Sequence, residues 1–162
     1  NDEVITSTEI LNLATQYQSA PSSLTDVKFM ILFFNGYLDD GTGNPDKNVI
    51  GVSLTGTTII GMFKPVINAN DSPFPVVARF VEQSTLVHEM GHALGLVNNG
   101  VPLTSEHQDE DNGAHCTNEN CVMYWLNEGV EDLKKFVVRY QQLNSFVMFG
   151  QLCADDIANF NP

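Results

Sequence analysis

The stretch Ser84-Thr-Leu-Val-His-Glu-Met-Gly-His-Ala-Leu-Gly-Leu96 decides how this chain is read, because His88, Glu89 and His92 spell His-Glu-x-x-His within it. Residues four apart on an α-helix lie one above the other, so His88 and His92 can offer two imidazole nitrogens to one zinc ion. Glu89 stands beside them, placed to take a proton from water activated by the metal. Together they are the apparatus of a zinc-dependent hydrolase, most often a peptidase. The flanks support a helix. Val76-Val-Ala-Arg-Phe-Val-Glu-Gln-Ser-Thr-Leu-Val87 runs without interruption, Pro73 and Pro75 stand near its start, and Gly95 lies where a helix commonly stops.

Two histidines leave zinc short of ligands, since catalytic sites usually carry three protein ligands plus water. The third is to be sought among His107, His115 and the carboxylates Glu106, Asp109, Glu110, Asp111, Glu128 and Glu131. Spacing alone does not choose between them.

The string His88-Glu-Met-Gly-His-Ala-Leu-Gly95, followed by His115-Cys-Thr-Asn-Glu-Asn-Cys-Val-Met123, resembles the metzincin zinc peptidases, most closely their archaemetzincin branch. That family reads HExxHxxG, then xxH, then Cys, four residues, Cys, x, Met. The resemblance implies His115 as third zinc ligand and Met123 as the Met-turn residue beneath the metal. It also implies hydrolysis of peptide bonds by a zinc-activated water, with Glu89 as general base. The chain departs from the pattern at Asn98, which stands where the family has its third histidine. Nineteen residues, 96–114, separate Gly95 from His115 where the family has two, which reads as an insertion of 17. Its Asn, Gly, Pro and Asp content is that of a loop, and loops lengthen at modest entropic cost. His107, inside the insertion, is the alternative third ligand.

Three cysteines, Cys116, Cys121 and Cys153, leave an odd thiol in an exported chain. In archaemetzincins the two cysteines after the third ligand join a later Cys-x-x-Cys pair around a second, structural zinc. Here the later element is Cys153-Ala-Asp-Asp156, with Asp156 in the place of the fourth cysteine. A carboxylate is an acceptable zinc ligand, so a set of Cys116, Cys121, Cys153 and Asp156 is one reading. A disulfide from Cys116 to Cys121 or Cys153, with the remaining thiol buried, is a second, and three reduced thiols a third.

Composition bounds the rest. A chain of 162 residues, 43% hydrophobic, buries one core, and a single catalytic domain is expected, with an upper part over 1–97 and a lower part over 98–162. A net charge of -13 with seven Lys plus Arg argues against a nucleic-acid partner. No apolar run is long enough to span a bilayer, no signal region is present, and an exported protein (secreted, periplasmic or surface-anchored) is expected, acting as a monomer on a peptide or protein substrate. The acidic run 106–112 is a solvated loop or, more weakly, a calcium site; it lacks EF-hand spacing.

The fold class expected is α+β: a metzincin-like zincin with a twisted mixed sheet, an active-site helix and a mainly helical C-terminal subdomain. A first helix is read over Thr8–Gln18, and a strand buried on both faces over Val27–Phe34. Asp39–Asp46 reads as a loop, Val49–Leu54 and Thr57–Phe63 as strands, Glu128–Tyr140 and Leu143–Asn159 as helices, with Phe136, Val137, Phe146 and Phe149 in the core. In metzincins the strand bordering the cleft pairs with extended substrate, and Thr57–Phe63, with Ile59, Ile60 and Gly61, is the candidate for that edge. Tyr124 is either an oxyanion donor or a packing residue. Two rival functions remain: a hydrolase with Glu128 or Glu131 as third ligand, and a catalytically silent metal-binding or adhesion module of the same fold.

Overall fold

Thr6 starts the first helix, α1 (Ser7–Tyr17), through a capping box. The Thr6 hydroxyl accepts from the Glu9 amide at 3.2 Å, and the Glu9 carboxylate accepts from the Thr6 amide at 2.8 Å. Such a cap contributes about 1 kcal/mol. The computed structural model describes residues 3–19, 22, 23, 26–69, 76–125, 133, 135, 136, 138 and 148–161. Among the described residues there are six short strands: β1 (Val4–Ile5), β2 (Met30–Phe34), β3 (Tyr37–Asp39), β4 (Pro45–Asp46), β5 (Gly51–Ser53) and β6 (Ile59–Phe63). Among the described residues, α2 (Lys64–Ala69), α3 (Val76–Ala93) and α4 (Gln151–Asn159) follow with defined bounds. The architecture is α+β, with two three-stranded mixed sheets ordered β1-β3-β4 and β2-β6-β5.

The second sheet positions the site. β6 runs parallel to β2, Met30 opposite Ile59 through Phe34 opposite Phe63, and antiparallel to β5, with Val52 opposite Gly61. A Cβ on Gly61 would touch Ile10 of α1, whereas the Met62 sulfur lies by Gly51 and Thr85 on the side of α3. Successive strand residues point to opposite faces, so the sheet is sandwiched between α1 and α3. Ile10, Ile60, Met62, Phe63 and Val81 are fully buried at that junction.

Several expectations are corrected here. Ile59, Ile60 and Gly61 do not form a sheet edge: β6 is hydrogen-bonded on both sides and all five of its residues are buried, so the edges are β2 and β5, of which β5 borders Glu89. The strand over Val27–Phe34 shortens to Met30–Phe34 and is not buried on both faces, Phe33 being 51% exposed. Asp39–Asp46 is more ordered than a loop, since Asp39 pairs with Pro45 and Leu38 with Asp46. Of the helix expected over Leu143–Asn159, residues 143–147 lie outside the described residues, 148–150 are not helical, and the helix runs over Gln151–Asn159 after an extended Gly150. α2 had no counterpart in the sequence reading. Leu133, Lys135, Phe136 and Val138 are helical, with Leu133 and Phe136 buried, and Phe149 is half-buried. Pro73, Pro75, Glu128, Glu131, Val137 and Phe146 lie outside the described residues. No helix among the described residues is long and apolar enough to cross a membrane.

Candidate metal centres

Helix α3 carries His88 and His92 on one face, one turn apart, with their Nε2 atoms 3.1 Å from each other. The helix ends just beyond them. Gly95, at φ +83°, donates to His92 O at 3.0 Å, and Leu96 donates to Gly91 O at 3.0 Å, the paired bonds of a Schellman stop. Val97 and Asn98 then adopt positive φ of 52° and 61°, which turns the chain sharply away. Asn98, in the family's histidine position, is exposed and donates to Gln108 rather than facing the helix.

The insertion returns as a ribbon. Gln108 bridges Cys116 in antiparallel register, the Asp109 amide donates to His115 O at 2.7 Å, and the Thr117 amide donates to His107 O at 2.9 Å. A single 3-10 turn, Glu110–Asn112, and Gly113 at φ +77° close its tip. This brings the His115 ring to 5.2 Å from His88 and 4.9 Å from His92. Ligand atoms of the three histidines all lie within 4.8 Å of one another. Two nitrogens at about 2.0–2.1 Å from a tetrahedral zinc stand roughly 3.3 Å apart, so the 3.1 Å between His88 and His92 fits such an ion.

Backbone carbonyls set the tautomers. His88 Nδ1 donates to Val122 O at 2.7 Å, and His115 Nδ1 donates to Asn112 O at 2.6 Å. A carbonyl only accepts, so each ring carries its proton on Nδ1 and keeps the Nε2 lone pair for a metal. Glu89 is buried beside the edge strand, its Cγ 3.1 Å from where a Cβ on Gly51 would stand. A cleft of about 260 Å³ is bounded by Gly51, Val52, Ser53, Glu89 and His92. Met123 lies beneath the helix at Gly91, whose missing Cβ would be 2.2 Å from the Met123 sulfur. Tyr124 is half-buried with its ring tilted against Trp125.

His107 takes no part in that triad. It is buried with Cys116 and Cys153 in a second group whose ligand atoms also lie within 4.8 Å of one another. All three cysteines are buried and reduced, so the disulfide alternative is not what this structure contains. Cys121 Sγ is 3.5 Å from Cys153 Sγ. Hydrogen bonds from Cys116 and Cys153 hold the Cys121 thiol down at about 3, whereas the bond with Cys121 pushes Cys116 up to about 11; Cys153 is raised by its bonds with Cys116 and then Cys121. Asp156 is not among the gathered ligands. Its Oδ2 accepts from His107 Nε2 at 2.7 Å and its Oδ1 from the Thr104 amide and hydroxyl at 2.7 and 2.8 Å. Burial works to raise the Asp156 carboxyl, but these bonds outweigh it and keep it below the usual range.

Among the described residues these are the two groups able to gather three metal-ligand atoms, and neither uses a carboxylate from 106–112. The sequence reading missed Gly91, the carbonyls of Asn112 and Val122, and the edge position of β5. Only Gly91 left a signal, a residue without a side chain inside the motif itself. Comparison of the chain with protein-family models, with curated proteins and with solved structures finds no match.

Proposed function

We propose that this chain is a zinc-dependent metallopeptidase of the metzincin type. The observation that carries the reading is the convergence of His88, His92 and His115 on one point, with buried Glu89 between that point and the open edge of β5. The three imidazoles would hold the zinc. When bound, zinc supplies Lewis acidity, acidifying water and polarising a carbonyl. Glu89 accepts the proton of the attacking water and returns it to the departing amine nitrogen. β5 holds the substrate extended, pairing main chain with main chain, so affinity comes largely without sequence preference. The Nδ1 bonds to Val122 and Asn112 keep two of the three rings from rotating as the substrate enters.

The test uses the zinc-loaded chain and a mixed library of fluorogenic peptides. Glu89→Gln should keep its zinc and lose peptide hydrolysis by on the order of 10²–10⁴-fold. Comparable turnover in that variant would remove Glu89 from the mechanism. A wild-type chain with full zinc that cleaves no peptide would instead favour the silent metal-binding module.

A further inference from the structure

We propose that His107, Cys116, Cys121 and Cys153 hold a second, structural zinc ion, with Asp156 fixing His107 from behind instead of binding the metal. The four-cysteine pattern implied by the family resemblance does not describe this chain, and neither does a set of three cysteines and an aspartate. The inference is independent of the peptidase reading.

Ligand atoms of His107, Cys116 and Cys153 lie within 4.8 Å of one another, and Cys121 adjoins that group through Cys153. Thiolate sulfurs at about 2.3 Å and an imidazole nitrogen at about 2.0–2.1 Å from a tetrahedral zinc are separated from one another by roughly 3.5–3.8 Å. Cys121 and Cys153 sulfurs are 3.5 Å apart, and His107 Nδ1 is 3.5 Å from Cys116 Sγ. Backbone amides point at two of the sulfurs: Asn118 N–H donates to Cys116 at 3.4 Å and Gly150 N–H to Cys121 at 3.1 Å. Amide donors to sulfur stabilise the thiolate form that a metal requires.

Asp156 decides the ligand set. Both of its oxygens are engaged away from the sulfurs, by His107 on one side and Thr104 on the other. Because an ionised carboxylate only accepts, His107 must carry its proton on Nε2 and present the Nδ1 lone pair to the cysteines. That is the carboxylate–histidine–metal relay found behind zinc ligands. Cys153 and Asp156 lie one turn apart on α4 and are both buried, so one helix face supplies a ligand and the support of another. The ion would fasten three segments: the returning ribbon through His107 and Cys116, the turn at Cys121, and α4.

Cobalt(II) replacing zinc in the full chain reports the site without reference to activity. Wild type should show sulfur-to-cobalt charge-transfer absorption with the intense d–d bands of tetrahedral cobalt, and His115→Ala should retain both. His107→Cys should raise the charge-transfer absorption by about one-third, as four thiolates replace three. Asp156→Asn should retain it while weakening metal affinity roughly 10- to 100-fold. The proposal is overturned if wild type shows no such absorption, or if its thiols react only after reduction and not after chelation, which would mean a disulfide. It is also overturned if the absorption survives unchanged in His107→Ala yet is lost in Asp156→Asn, since Asp156 would then be the ligand.

Discussion

At Gly91 two opposing effects can be weighed. In an ordinary helix interior, Gly→Ala is worth about 0.5–1 kcal/mol in favour of the helix. Here an added Cβ would stand 2.2 Å from the Met123 sulfur and 2.9 Å from the Phe149 ring, and both belong to segments tied to the metal centre. Overpacking of that kind costs about 1–3 kcal/mol, so the clash wins. Gly91→Ala should lower the thermal midpoint and weaken zinc binding, because displacing Met123 also shifts Val122, whose carbonyl orients His88. Calorimetry with a zinc titration checks both; unchanged values would show that Met123 moves aside freely. The residues most legible in the sequence were those that chemistry demands in person, His88, Glu89 and His92. Asn112 and Val122 act through backbone carbonyls, which any residue supplies, so their identities carried no message.

β5 and β6 show how elements can be misassigned even when both are found. The apolar run through Ile59–Phe63 is what a central strand requires, since both its faces are covered, whereas Gly51–Ser53 is short, as edge strands often are. Alternation now says which groups face the cleft. Ile50 O accepts from Phe63 and Leu54 N donates to Ile59, so the even-numbered residues bond to β6 and Gly51 and Ser53 turn outward. Ser53→Pro should therefore spare the sheet while removing one outward N–H. Losing a hydrogen bond worth about 0.5–1.5 kcal/mol predicts KM raised roughly two- to tenfold with kcat little changed. Peptide kinetics decide it, and an unaltered KM would take β5 out of substrate binding. α4 illustrates a different limit: the helical periodicity runs on through Phe149 and Gly150, but the chain is extended there because Gly150 serves as the N-cap and donates to Cys121.

Over the whole molecule, the side chains of the two candidate centres come from distant parts of the chain, α3, the insertion ribbon and α4, so the metal binding proposed above would be one equilibrium with tertiary order. An ion present at about 1,000 times its dissociation constant adds about 4 kcal/mol to the folded state. At roughly 2–4 °C per kcal/mol for a domain of this size, chelation should lower the thermal midpoint by on the order of 10 °C or more. A fall of under about 2 °C would mean that the fold stands without metal. The exchange of roles between His107 and Asp156 was beyond the sequence for the same reason. Which side chain meets the sulfurs depends on how a loop closes, and on Thr104 occupying the carboxylate from 52 residues away.

His115 and Cys116 are neighbours in the returning ribbon, yet one belongs to the histidine triad and the other to the sulfur cluster. Consecutive residues of an extended segment face opposite ways, so the ribbon works as a reading frame with the two centres as its alternate letters. A residue inserted between His115 and Cys116 would leave only one of the two in its place and so spoil one centre or the other. Elsewhere the insertion can change length at exposed positions such as Ser105 and Glu106 without separating that pair.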